Sequence, residues 1–188
     1  PDFEIKEDDT IIDIGGHIGL FALYCNQFTK TGKIFSFEPI KENYDMFLEN
    51  MKINGFENIM PHNLAVTKTE GNIPIYLNND ESGHSVFEKN TKVVNVESIT
   101  LKKIFDINNI KRCNLLKLDC EGSEYEIIES LSEEYFKKID KIIIEYHFAG
   151  KYPDLFRNLI KKLESVSFTA KIERTDENMG LIFAQKIN

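Results

Sequence analysis

Acidic residues recur in this chain where apolar runs end. Asp13 follows Ile11 and Ile12 and opens the stretch DIGGHIGLF, which sets Gly15, Gly16 and Gly19 within five residues. Glu38 ends KIFSFE, Asp119 ends NLLKLD, and Glu121 follows two residues later in LDCEGSE. Glu145 and His147 close KIIIEYH. A charge is costly to remove from water, so acids at the tips of apolar segments need either solvent or a ligand. Their recurrence points to a site along one edge. Glycines between an acid and a helix let a ligand approach bare backbone, and they equally let a strand and a helix pack closely.

Known nucleotide loops narrow the choice of ligand. A dinucleotide fingerprint needs glycine at relative positions one, three and six. Counting from Gly15 gives Gly15, His17 and Leu20, and counting from Gly16 gives Gly16, Ile18 and Phe21, so neither register works. A phosphate-binding P-loop fails as well, because TGKI puts Ile34 where a hydroxyl must meet magnesium. What remains is an acid, then G-G-x-x-G, then Glu38 at the end of the next strand. A carboxylate there can accept both hydroxyls of a ribose with no phosphate involved. An adenosine ligand without phosphates fits, and S-adenosylmethionine is the common one.

The elements that must hold these residues follow from periodicity. Strands are expected over residues 10–14, 33–38, 58–66, 114–119 and 141–147, with Pro61 marking the third as an edge or a bulge. Helices are expected over about 18–28, from Pro39 to the stop at Asn54 and Gly55, near 100–105, and over 123–131 and 153–163. Residues 67–98 break the alternation. There, 73–77 and 92–98 read as short strands around the polar loop 78–85, forming an insert or a cover over one edge. Two closing strands, around 168–174 and 180–187, flank the turn-rich TDENM as a hairpin. Repeated strand–helix units imply an α/β fold, a parallel sheet with helices on both faces, to which the hairpin adds one antiparallel strand. Ligands of such sheets collect outside the carboxyl ends of the strands, where the acids stand.

Bulk composition excludes several classes. With 188 residues and 41% hydrophobic content the chain fills one core, so 1–188 is expected to be a single domain. The formal charge of −8 is spread without like-charge blocks, and a nucleic-acid partner is not expected. Cys25, Cys113 and Cys120 are odd in number and lack C-x-x-C spacing, which removes a disulfide framework and a zinc ribbon and fits a reducing, cytoplasmic setting. No apolar run reaches the roughly 18–20 residues of a membrane span. The chain opens on Pro1, which is compatible with a segment ahead of it. Nothing in the sequence speaks to oligomeric state.

DIGGHIGLF, FEPIKENYDMFLENMKIN, NLLKLDCEGSEYEII and IIIEYHF resemble successive signatures of the FkbM-type S-adenosylmethionine-dependent methyltransferases, between about residues 10 and 148. LKLDCEGSEYEII is the most specific of them. The resemblance implies the class I methyltransferase fold, a Rossmann-like, doubly wound α/β sheet of seven strands, mostly parallel, with an antiparallel C-terminal strand. It implies that Asp13, Gly15 and Gly19 form the cofactor loop, that Glu38 holds the ribose, and that Asp119 lies beside the methyl-transfer site. Gly16 and His17 belong to that loop, although the family more often has Ala and Asn there; Pro39, Asn63 and Ala65 are expected among the cofactor contacts. TLKK, at 100–103, replaces a more usual T-L-D-D, and no role carries over to it.

Moving a methyl group from a sulfonium to an alcohol is an in-line displacement, so the enzyme must align donor and acceptor and remove a poorly acidic proton. Asp119 and Glu121 are the first candidates for that task, Glu145 and His147 the second. Glu121 is also placed to favour the start of the following helix. His84, in the polar loop, is either a residue reaching over the pocket or a solvated side chain, and His17 reads as loop packing rather than a base. Asp119 and Glu145 offer oxygen donors to a divalent cation, but two carboxylates are thin support, and no metal is expected. The expected activity is O-methylation of a hydroxyl on a sugar or secondary metabolite, with a small-molecule or glycan acceptor. The alternative is a catalytically silent cofactor-binding or interaction module of the same fold.

Overall fold

The computed structural model describes residues 3–77 and 92–187; the polar loop with His84 lies outside them. Along the chain run β1 (Thr10–Ile14), α1 (Leu20–Asn26), β2 (Lys33–Phe37), α2 (Lys41–Asn54) and β3 (Ile59–His62). Then come β4 (Ala65–Thr67), β5 (Gly71–Leu77), β6 (Lys92–Thr100), α3 (Leu101–Ile107), β7 (Leu115–Leu118) and α4 (Glu124–Ser130). The last elements are α5 (Glu133–Phe136), β8 (Lys141–Tyr146), α6 (Pro153–Ser165), β9 (Phe168–Arg174) and β10 (Gly180–Lys186). Seven strands form one sheet in the order β3-β2-β1-β7-β8-β10-β9, and only β10 runs against the others.

β1 is central because its residues tolerate cover on both sides: Ile11, Ile12, Asp13 and Ile14 are all buried. Ile12, Ile14, Leu116 and Leu118 join one core layer, which α6 closes with Leu159 and Leu163. Ile11, Ile34 and Leu115 join the other, against Ala22 and Cys25 of α1 and Phe47 of α2. Pro153 stands in the first turn of α6, where a missing N–H costs nothing, and Gly55 ends α2 at φ 68, as an αL cap requires. Strand order reverses between β1 and β7, so the crevice beyond their carboxyl ends is the switch point of the sheet.

Several expected boundaries shift for identifiable reasons. The helix expected from residue 18 begins at Leu20, because Gly19 sits at φ 89, outside helical backbone. The strand expected over 58–66 is two strands in different sheets. β3 is the edge strand, as Pro61 suggests, and ends at His62; Asn63 Nδ2 then donates to the carbonyls of Glu38 and Pro39, both at 2.9 Å, and draws the chain off the edge. β4 pairs instead with β6, in a three-stranded sheet ordered β4-β6-β5. The single-turn α5 was not anticipated from the periodicity.

Candidate active site

A cavity of about 300 Å³ opens at the switch point, beyond β1, β2 and β7. Its floor begins with the glycine loop. The N–H groups of Gly15 and Gly16 both donate to the Phe37 carbonyl, at 3.0 and 2.9 Å, which folds the loop across the end of β2. A Cβ on Gly15 would stand 1.7 Å from the Asp119 carbonyl oxygen, and one on Gly19 would stand 2.3 Å from the Phe47 ring. These two glycines therefore let β7 and α2 approach the loop; the space they leave is filled by protein.

Beneath the loop lies a charge cluster that the strand register creates. Asp13 is aligned with Lys117 on β7 and with Ser36 on β2. Asp13 is fully buried; its Oδ2 accepts from Ser36 Oγ at 2.7 Å, while its Oδ1, which makes no well-angled hydrogen bond, has the Lys117 ammonium 3.2 Å away. Lys117 Nζ also lies 3.3 Å from Asp119 and donates to the Gly15 carbonyl at 2.8 Å. Three partners match the three protons of an ammonium. Burial works against that charge, but the Asp13 and Asp119 carboxylates outweigh it and push Lys117 up to about 12.

Glu38 stands beside the loop and is 5% exposed. Its Oε2 accepts the backbone N–H of His17 at 2.8 Å, and its Oε1 accepts that of Ile40 at 2.9 Å. Asn43 Nδ2 also donates to Oε1, at 3.4 Å, so the carboxylate is aimed by backbone on both oxygens and Oε2 keeps a lone pair for a ligand. Burial raises its pKa against the pull of those two hydrogen bonds. Ile40, Ala65, Ile73 and Ile75 form an apolar wall next to it, and the last two come from β5 of the smaller sheet.

At the other end of the cavity, Asp119, Cys120 and Glu121 follow β7. Glu121 and Gly122 have φ of 50 and 109, which turns the chain sharply into α4. His17, Glu121 and Phe148 are three of the five non-glycine residues with positive φ among those described, and all three lie at this edge of the sheet. Strained backbone of this kind is retained where surrounding structure holds a site in place. Glu124, fully buried, organises the turn: Oε2 accepts from Gly122 N–H at 2.8 Å, and Oε1 accepts from His147 N–H at 2.8 Å and lies 3.2 Å from His147 Nδ1. Tyr125 Oη donates to the His147 carbonyl. His147 Nε2 points to Glu121 Oε2, 3.7 Å away. Burial opposes charge on His147, yet Glu124, Glu121 and Asp119 together push it up to about 9. Burial pushes Glu121 up to about 7, with Asp119, Glu124 and Glu145 adding to it and His147 opposing. Glu145 is raised by burial first and by Asp119 next.

Among the residues marked out from sequence, Gly15, His17, Glu38, Pro39, Ala65, Asp119 and Glu121 line the cavity. Asp13, Gly16, Gly19, Asn63, Glu145 and His147 do not. Asp13 and Asn63 act one layer behind, through Lys117 and through the Glu38–Pro39 carbonyls. His147 is joined to the cavity by Glu121. Helix-start duty expected of Glu121 falls to Glu124, whose carboxylate reaches back to Gly122. Lys117 and Glu124 were missed, although each carries a visible signal: a lysine within an apolar strand, and an acid on the buried face of an amphipathic helix.

Known proteins are similar to this chain in sequence and in fold. "Methyltransferase 1" of Beauveria bassiana (strain ARSEF 2860) is 26% identical over 192 residues, covering 90% of this chain and 76% of the relative. The hexuronic acid methyltransferase AglP of Haloferax volcanii is 24% identical over 190 residues, covering 98% of this chain and 74% of that protein. The crystal structure of a methyltransferase FkbM from Methylobacillus flagellatus KT superposes with a TM-score of 0.67 at 15% identity, covering 97% of this chain. This chain spans 45% of the length of that one. Among the described residues no helix is long and apolar enough to cross a membrane. The acid–glycine loop at the switch point of the sheet and the Asp119–Glu124 turn fall within residues 13–170, the span that matches the methyltransferase FkbM domain, and the chain belongs to that methyltransferase family.

Proposed function

We propose that residues 1–188 act as one catalytic domain, an S-adenosylmethionine-dependent O-methyltransferase whose acceptor is a hydroxyl on a sugar or similar metabolite. The observation that carries this reading is Glu38, a buried carboxylate with both oxygens fixed by backbone N–H groups, Oε2 open to one ribose hydroxyl and Oε1 open to the other by exchange of its long contact with Asn43. Beside it, the apolar wall of Ile40, Ala65, Ile73 and Ile75 suits a purine ring. When bound, S-adenosylmethionine supplies an electrophilic sulfonium methyl group. Asp13 and Lys117 hold the glycine loop and Asp119 in register, and Asn63 holds the loop that carries Glu38. Asp119 and Glu121 face the cavity at its far end, where they orient the acceptor hydroxyl, and the Glu121 carboxylate takes its proton. A glycan or small-metabolite acceptor is in keeping with AglP, whose name records a hexuronic acid substrate. The test incubates the protein with methyl-labelled S-adenosylmethionine and fractionated glycans and metabolites, then locates the label. Label on a hydroxyl oxygen supports the reading. Label on nitrogen or carbon overturns the O-methyl assignment, and cofactor binding without transfer to any fraction would indicate a silent binding module.

A further inference from the structure

Asp119, Glu121 and His147 each present one ligand atom to a common point, and the three atoms lie within 4.8 Å of one another. Their arrangement differs from a surface cluster of acids in one respect. His147 is nine-tenths buried, and its ring is held by a dedicated partner: Nδ1 lies 3.2 Å from Glu124, itself fully buried, and the His147 N–H donates to the same carboxylate oxygen at 2.8 Å. With its N–H given to Glu124, the ring turns Nε2 toward Asp119 and Glu121. Among the described residues Nε2 has no hydrogen-bond partner; Glu121 Oε2 is 3.7 Å away. A buried carboxylate that fixes one nitrogen of a histidine and presents the other is the outer-shell arrangement used by metal-ligating imidazoles.

We propose that Asp119, Glu121 and His147 Nε2 bind one divalent cation at the acceptor end of the cavity. Donor distances of about 2.0–2.2 Å place cis ligands roughly 3 Å apart and trans ligands roughly 4.3 Å apart. The observed spread closes to this with small movements of Asp119 and Glu121, whose side chains are 31% and 27% exposed. Local charge favours the same occupant: Asp13, Asp119, Glu121, Glu124 and Glu145 face Lys117 and His147 as the cations of the cluster among the described residues. Two carboxylates and an imidazole suit Mn²⁺ or another first-row ion better than Mg²⁺, which prefers oxygen ligands alone. Cation binding at Nε2 displaces any proton held there. Three protein ligands leave positions for the acceptor. Its O–H bond then breaks, the electron pair staying on the ion-held oxygen and the proton passing to the Glu121 carboxylate oxygen that does not hold the ion.

This inference rests on the methyl-transfer reading for the ion's purpose, though not for its binding, so the test reads the ion directly. Metal-stripped full-length protein is titrated with Mn²⁺ and followed by electron paramagnetic resonance, with S-adenosylhomocysteine affinity measured calorimetrically on the same samples. One Mn²⁺ per chain is expected. Glu124→Gln, which leaves the three ligands in place, should weaken Mn²⁺ binding about 10–100-fold, and Glu121→Gln and His147→Ala at least as much, while S-adenosylhomocysteine affinity stays within about threefold. Mg²⁺ should displace Mn²⁺ only at tenfold or greater excess. His147→Ala strands the buried Glu124, so Glu121→Gln, at a partly exposed position, keeps the test decisive if that variant fails to fold. Absence of bound Mn²⁺ at millimolar concentration, or equal affinity in folded Glu121→Gln, overturns the metal site. Failure of the parent protein to bind S-adenosylhomocysteine while Mn²⁺ binds normally upholds the metal site and overturns the methyl-transfer reading instead.

Discussion

Glu38→Gln tests the cofactor assignment most directly. In the parent, each carboxylate oxygen accepts one backbone N–H, from His17 and from Ile40, and Oε1 also accepts from Asn43 Nδ2 at the longer distance of 3.4 Å. The amide keeps the shape and one acceptor oxygen, so the variant loses the charge and one of the two bonds a ribose diol would make. A hydrogen bond to a charged acceptor contributes about 1.5–3 kcal/mol, which corresponds to a dissociation constant roughly 10- to 150-fold weaker. The amide nitrogen also faces one of the two backbone N–H groups, leaving that donor unpaired at about 1–3 kcal/mol. For a chain of this size that lowers the melting temperature by roughly 2–4 °C per kcal/mol, so the variant remains folded at assay temperature. Calorimetric titration with S-adenosylhomocysteine, alongside a melting curve, measures both effects. pH adds a second readout. Burial raises the Glu38 pKa, so the unliganded protein takes up a proton there at higher pH than a free carboxylate would. Ribose hydroxyls need the ionised form, so affinity is complete above that raised pKa and falls as pH drops through it. His17 is the titratable neighbour of Glu38, and a His17→Gln control separates its contribution. A folded Glu38→Gln protein that binds S-adenosylhomocysteine within twofold of the parent, or that keeps the parent's pH dependence, would refute the assignment.

Lys117→Met leaves the fully buried Asp13 without its counter-charge, and removing one partner of a buried pair costs about 3–5 kcal/mol. Urea denaturation should register this loss, and Asp13→Asn combined with Lys117→Met should recover part of it; a loss below about 1 kcal/mol would show that the pair is solvated. Gly15→Ala drives a methyl group into the Asp119 carbonyl at a φ of 80, for an expected loss of about 2–5 kcal/mol. If the variant keeps its stability but loses S-adenosylhomocysteine, the glycine serves the cofactor after all. Glu121→Gln should lower turnover roughly 10²–10⁴-fold, with cofactor affinity changed by less than about 1 kcal/mol. Near-normal turnover would move the acceptor chemistry to Glu145 and His147.

How far the site was legible before folding depends on the range of the interaction that decides each residue's role. Glu38 could be recognised from a short motif because its geometry is local: Ile40 and Asn43 are two and five residues away, and the glycine loop belongs to the adjacent strand. The seven-stranded sheet was legible for the same reason, since strand–helix alternation fixes parallel crossovers and TDENM fixes the final hairpin. Lys117 could be seen as a lysine out of place, but its role comes from the register that sets it opposite Asp13, 104 residues earlier, and no local pattern encodes that pairing. Glu124 and His147 likewise meet across 23 residues and two elements. The glycines are ambiguous in a related way. Their spacing announces that backbone comes close to something, and only the packed structure identifies it as the Asp119 carbonyl and the Phe47 ring. A nucleotide-like loop can therefore be required by the protein's own packing, whatever else it serves. In this chain, substitutions of the glycines should report first on stability, and substitutions of Glu38 first on binding.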